Sequence, residues 1–197
     1  MQALVIGATG TIGKIVATAL EFRGHEVIRA SRSSEQPVDV TDAASVQALF
    51  ERVGTVDAVV VAAGSVPFRP LTELTRDDYA AAFTGKTLAQ IEVVRQALAH
   101  VVDGGSITLT SGVLAREPIA TGAAAAMANG ALESFVITAA AEAPRGIRIN
   151  AVSPDVLASS PGYHAAFPGQ RPVTDQEVSD AYVRSVEGIV NGRILAV

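Results

Sequence analysis

The chain has no cysteine and no tryptophan, and only two of its cations are lysines, Lys14 and Lys86. Without cysteine there can be no disulfide, no thiolate nucleophile and no thiolate-bound zinc, and the composition suits a reducing compartment. The three histidines, His25, His100 and His164, stand too far apart for a local metal motif. Aromatic residues are only 5% of the chain while hydrophobic residues reach 49%. The core must therefore be built from Ala, Val, Leu and Ile, which suits parallel strands buried on both faces better than an all-β sandwich. A net charge of −5 gives no basic footprint for nucleic acid. No segment reaches the ~18 uninterrupted apolar residues of a membrane span. Residues 1–14 lack the basic leader and long apolar stretch of a signal peptide. The expectation is one cytoplasmic domain over residues 1–197, with neither nucleic acid nor membrane as partner.

The most informative segment lies near the start. The apolar run Ala3-Leu4-Val5-Ile6 enters Gly7-Ala8-Thr9-Gly10-Thr11-Ile12-Gly13, and a helical pattern follows. Small residues at such a turn let the backbone approach a pyrophosphate, and the N–H groups opening the next helix can hold its charge. The spacing is G-x-x-G-x-x-G rather than G-x-G-x-x-G, so the placement between strand and helix carries the reading; a turn without a ligand is the alternative. A Walker loop ending at Lys14 is excluded, because Ala8 and Ile15 stand where glycine and Ser or Thr are needed.

Hydrophobic periodicity predicts strands over 2–6, 25–30, 56–62, 105–110, 146–152 and 193–197. It predicts helices over 11–23, from a cap at Thr41 or Asp42 through Val53, and over 75–102, 121–143 and 175–189. Residues 153–172, with four prolines, read as a loop. This alternation implies an α/β fold: a single doubly wound parallel sheet with helices on both faces, binding ligands outside the carboxyl ends of its strands.

The second strand ends Val27-Ile28-Arg29-Ala30-Ser31-Arg32-Ser33, with no Asp or Glu to accept from an NAD ribose. Arg29, Arg32 and the neighbouring hydroxyls, Ser31 among them, would pair with a 2′-phosphate instead, favouring NADP(H) over NAD(H). Two solvated loop arginines are the alternative.

Several signposts in order resemble the short-chain dehydrogenase/reductase family over nearly the whole chain. The Gly7 to Gly13 turn looks like that family's glycine-rich region, and Asp39-Val40 matches its adenine-contacting pair. Ala62-Ala63-Gly64 stands where the family has Asn-Asn-Ala-Gly, and Gly105 to Ser111 looks like the strand that delivers the catalytic serine. The segment Pro144-Arg145-Gly146-Ile147-Arg148-Ile149-Asn150-Ala151-Val152-Ser153-Pro154 is almost word for word the family's strand before the substrate loop. The resemblance implies a Rossmann fold and cofactor contacts from Gly7, Thr9, Gly10, Thr11, Ile12, Gly13, Asn129, Pro154 and Val156. It also implies a small carbonyl or alcohol as substrate and a homodimer or homotetramer on the long helices.

One departure matters as much as the match. The family's Tyr-x-x-x-Lys pair, in which the lysine lowers the tyrosine pKa and holds the ribose, is absent: four residues beyond the three tyrosines stand Phe83, Phe167 and Val186. Ala125 and Asn129 occupy the two places. Ser111 is the expected group for polarising the substrate oxygen, or else a turn residue. Lys86 is expected either to assist electrostatically or to be a solvated helix lysine. Tyr163 and His164 lie in the 153–172 loop, where either could supply a proton on closure or be incidental. The sequence therefore supports an NADP(H)-dependent oxidoreductase, with a cofactor-binding sensor without turnover as the alternative.

Overall fold

The computed structural model describes residues 1–197. Seven parallel strands form one sheet in the order β3-β2-β1-β4-β5-β6-β7. They are β1 (Gln2–Ile6), β2 (Glu26–Ser31), β3 (Gln36–Pro37), β4 (Val56–Val61), β5 (Val101–Thr110), β6 (Arg148–Ser153) and β7 (Ile194–Ala196). The helices are α1 (Thr11–Phe22), α2 (Ala43–Val53), α3 (Arg76–Ala82), α4 (Ala89–Ala97), α5 (Ala123–Glu142) and α6 (Asp175–Glu187).

The strands alternate sides in a way their sequence dictates. Leu4 and Ile6 of β1, with Val59 and Val61 of β4, join one buried cluster that includes residues of α2, α4 and α5. Ala3, Val5, Ala58 and Val60 join the opposite cluster, which α1 and α6 cover. Both faces of β1 and of β4 from Ala58 onward are buried, which is why those stretches read as unbroken apolar runs. Helix α5, at 20 residues, is by length and composition able to cross a membrane. Here Leu132, Val136 and Ala140 turn into the first cluster.

Beyond shifts of one or two residues at element ends, three features differ from the sequence expectation. The helix predicted over 75–102 is broken: α3 passes into a π-helical turn at Phe83–Leu88 and resumes as α4, which ends at Ala97. Ser65 N–H donates to the Gly85 carbonyl at 3.1 Å, and the Thr87 hydroxyl donates to the Ala128 carbonyl at 3.0 Å, so tertiary contacts hold this turn open. Strand β5 begins at Val101 because the register jumps from Val56↔Val101 to Ala58↔Ser106, skipping the glycines between. Two-residue β3 carries too little pattern to be read. Asp42 is the cap of α2, its carboxylate accepting from Ala44 N–H at 3.0 Å.

The carboxyl end of β5 is fixed by side chains. Pairing with β4 ends at Val60↔Thr108, and buried Gln90 of α4 takes over. Its Oε1 accepts from Thr110 N–H at 2.9 Å and its Nε2 donates to the Thr110 carbonyl at 2.9 Å. The Thr110 hydroxyl donates to the Val61 carbonyl at 2.6 Å, which leaves it to accept from Tyr182 at 2.6 Å. Gln90→Leu strands both backbone groups of Thr110, at about 1–3 kcal/mol for each. Tyr182→Phe removes one bond and leaves the Thr110 hydroxyl donating, at about 1 kcal/mol. Urea midpoints at a constant m-value should rank Gln90→Leu well below Tyr182→Phe, and the reverse order would refute this account.

Candidate functional site

Strand order reverses between β1 and β4, and a cleft of about 360 Å³ opens beyond their carboxyl ends. Its walls are Gly7, Thr9 and Gly10, Ser31 to Ser33, Val38 to Thr41, Ala62 to Ser65, and Gly85. Gly7 sits at φ +85°, and a Cβ there would strike the Ala62 carbonyl. A Cβ on Gly13 would strike the Gly7 carbonyl, so this buried glycine lets helix and turn touch. Helix α1 starts with Gly10 at its cap, with no capping side chain and no acidic residue in its first turn. The Thr11 and Ile12 side chains point elsewhere, Thr11 to solvent and Ile12 onto the second cluster. What these two residues offer the cleft is their helix-opening N–H groups.

At the other end of the cleft, Arg32 and Ser31 are in its wall and Arg29 is not. Arg29 donates through Nε and Nη2 to both oxygens of Glu21, each at 2.9 Å. It lies inside β2, short of the sheet edge, so it covers α1; the cleft gains one arginine from this segment, not two. Asp39 accepts from the Thr41 hydroxyl at 2.7 Å and from Thr41 N–H at 2.9 Å. Those bonds, helped by Arg32, hold its carboxyl below the usual range. Pro154 and Val156 stand outside the cleft walls. The Pro154 carbonyl accepts from Val113 N–H at 3.0 Å, steadying the loop after Ser111, and Val156 is buried.

Past Gly64 and Gly85 the cleft meets a polar cluster. The Lys86 stem lies against Gly64, and Nζ donates to the Ser111 carbonyl at 3.1 Å. Burial pushes the Lys86 ammonium down to about 8, with the Glu133 carboxylate opposing the shift. The Ser111 hydroxyl donates to Glu133 Oε1 at 2.7 Å, because a carboxylate can only accept. Arg116 holds the other oxygen of Glu133 and donates to the Ser153 hydroxyl at 2.6 Å. Buried Asn129 lies against Gly112, and its Oδ1 has no partner. Such an orphaned acceptor fits a ligand hydroxyl. The uncapped helix, the small-residue cradle and this acceptor together match what a dinucleotide would ask of the site.

A second cavity, of about 730 Å³, lies beside the cluster, walled by Pro70, Leu71, Leu114, Pro118, Ile119 and Ala126 with Arg116 at its edge. Thr121, also in its wall, is β-branched yet sits at φ +67°. That strain, about 1–3 kcal/mol, is typical of backbone held for function. No tyrosine hydrogen-bonds to Ser111. Tyr182 is buried against Thr110, Tyr79 packs beside Ala82, Ala124 and Ala128, and Tyr163 is exposed. His164 is tied to the Leu157 carbonyl at 2.9 Å. Sequence reasoning passed over Gln90, Arg116 and Glu133. Only Glu133 carried a signal, being one helical turn past Asn129 on the same face.

The family model described as Enoyl-(Acyl carrier protein) reductase matches residues 7–186. The hydroxynaphthalene reductase-like protein Arp2 of Metarhizium brunneum is 33% identical over 177 residues, covering 77% of this chain and 66% of its own. The chain thus spans just under two thirds of that relative's length. The crystal structure of the protein lin1944 from Listeria innocua is 45% identical, with a TM-score of 0.97 over 100% of this chain and 99% of that one. A small-chain dehydrogenase in complex with NADPH is 27% identical, with a TM-score of 0.88 over 100% and 96%.

Gly13→Ala should destabilise the protein by about 1–3 kcal/mol, because two stretches of backbone have to separate. Gly130→Ala, where a Cβ meets nothing within 4 Å, should be stabilising by a few tenths to about 1 kcal/mol. Thermal or urea unfolding of the pair checks the contrast, and equal effects would refute the close approach.

Proposed function

Since the chain belongs to the short-chain dehydrogenase/reductase family, we propose that it is an NADP(H)-dependent oxidoreductase acting on the carbonyl of a small, largely apolar compound, with Lys86 as the proton donor. The observation that carries this reading is the Lys86 ammonium, half-buried where the cleft ends and bonded at 3.1 Å to the backbone of Ser111. A lysine brought to about 8 is an effective acid near neutral pH, the task left open by the missing tyrosine.

When bound, the reduced nicotinamide supplies the hydride that reaches the carbonyl carbon. Lys86 gives its proton to the carbonyl oxygen, is left as a neutral amine, and regains a proton from water. The Ser111 hydroxyl, its hydrogen committed to Glu133, accepts from the new alcohol and orients it. Asn129 Oδ1 accepts from a ribose hydroxyl, and the N–H groups at the start of α1 hold the diphosphate. Arg32 with Ser31 and Ser33 would hold the 2′-phosphate, and Asp39 and Val40 would border the adenine end of the cleft. The substrate's apolar body lies in the cavity walled by Leu71, Leu114 and Ile119. The exposed Met127 and Ile137 on α5 suit a homodimer or homotetramer.

Calorimetry should show NADPH binding more tightly than NADH, and Arg32→Ala should weaken NADPH ~10- to 100-fold with little change for NADH. Equal affinities, or no heat with either, would refute the cofactor assignment.

Consumption of NADPH with apolar ketones and aldehydes tests turnover. The acid form of Lys86 predominates below pH about 8, so kcat/KM for reduction should be level there and fall tenfold per pH unit above it. Alcohol oxidation, which needs the neutral amine, should rise with pH and level off above the same point. Lys86→Met should lower turnover ~10²- to 10⁴-fold while sparing NADPH affinity. Tight NADPH binding without turnover of any carbonyl would support the sensor reading instead.

A further inference from the structure

Four polar side chains, Ser111, Glu133, Arg116 and Ser153, form one connected chain, and only part of it is explained by binding a cofactor and a substrate. Glu133 is the middle member. One oxygen receives the Ser111 hydroxyl at 2.7 Å, and the other is held by Arg116, whose second nitrogen reaches the Ser153 hydroxyl at 2.6 Å. The Glu133 carboxylate is about one-eighth exposed. A carboxylate taken so far out of water is costly unless it is paired, so this one is there for its neighbours.

The charges that meet at this place come from separate elements. Lys86 comes from the π-helical turn, Glu133 from α5, and Arg116 from the loop after β5. Ser111 at the end of β5, Asn129 on α5 and Gly64 after β4 complete the surroundings and carry no charge. Two cations therefore share one anion. Arg116 takes a direct bond to it, while Lys86 bonds the Ser111 backbone and feels the carboxylate through space.

We propose that Glu133, clasped by Arg116, is a positioning residue that fixes the Ser111 hydroxyl as an acceptor toward substrate and supplies the counter-charge that keeps Lys86 protonated in its buried site. This rests on the role given to Lys86 above and assigns what sets its working range. Removing the carboxylate takes away the one nearby charge favouring the ammonium. Removing Arg116 takes away a competing cation and leaves the carboxylate wholly to Lys86.

The two substitutions thus act on Lys86 with opposite sign, which a loosened structure cannot imitate. Loosening admits water and moves the lysine upward in both cases. The chain has only two lysines, so a full-length protein labelled with carbon-13 at lysine Cε gives two signals, and Lys14→Arg assigns them. Titrated by NMR without cofactor, Lys86 should have its midpoint near 8 in the wild type. It should fall by ~1 pH unit in Glu133→Gln and rise in Arg116→Gln. Glu133→Asp keeps the charge and should leave the midpoint near its original value. An unmoved or rising midpoint in Glu133→Gln overturns the proposal, as does a fall in Arg116→Gln. Where turnover is observed, the limb of the reduction profile must move with the NMR midpoint. The expected pair of NMR shifts with no turnover upholds the electrostatic role and removes the enzymatic one.

Discussion

The double hydrogen bond between Gln90 and the backbone of Thr110 is the constraint on which the site depends. Strands β4 and β5 part company beyond Val60↔Thr108 and leave backbone groups of Thr110 facing into the gap, and a buried gap cannot leave them unpaired. Gln90 answers with one acceptor and one donor, each at 2.9 Å, in place of a strand. Thr110 is then held from α4, from β4 through Val61, and from α6 through Tyr182. Ser111 is the next residue. Its carbonyl and hydroxyl have fixed directions because its predecessor has no freedom, and Lys86 and Glu133 are aimed at those two groups.

The fold was largely legible in the sequence because its signals were local and repeated. Apolar runs at Ala3 to Ile6 and Ala58 to Val61, each followed by small residues, state both the strand and its burial on two faces. The glycine turn was legible for the same reason: Gly7 and Gly13 mark places where a Cβ has no room. What escaped was set by contacts across the chain. The π-helical turn depends on Ser65 and Ala128, far from it in sequence, and helical periodicity runs straight through it. Arg29 was counted toward the cofactor because strand patterns do not show that Glu21, on the neighbouring helix, is waiting for it. Arg116 has no periodic or motif signal at all, since its role depends on a loop folding back onto α5.

The π-helical turn also explains how the site keeps a cation. The lysine place on α5 is held by Asn129, a neutral amide with its oxygen free. A cation stands on the opposite wall, at Lys86. The widened helix at Phe83–Leu88 carries Lys86, whose stem lies over Gly64 and whose ammonium reaches Ser111. Gly64 is what lets the stem pass, since a Cβ there would lie 2.9 Å from Lys86 Cγ. Cradle and cation are therefore coupled: the backbone that borders the cleft also sets the path of the lysine.

This relocation changes what the neighbouring groups must do. A lysine beside a phenol is useful as a fixed positive charge, so an ordinary, high pKa serves it well. A lysine that gives up its own proton needs a value near the working pH, which burial provides by pulling it down. Burial alone has no stopping point, and a fully desolvated amine would simply be neutral. Glu133, held by Arg116, opposes that drift. Burial and one carboxylate of α5 thus act on the lysine in opposite directions. The Ser111 hydroxyl gives its hydrogen to the same carboxylate, which ties its orientation to that charge.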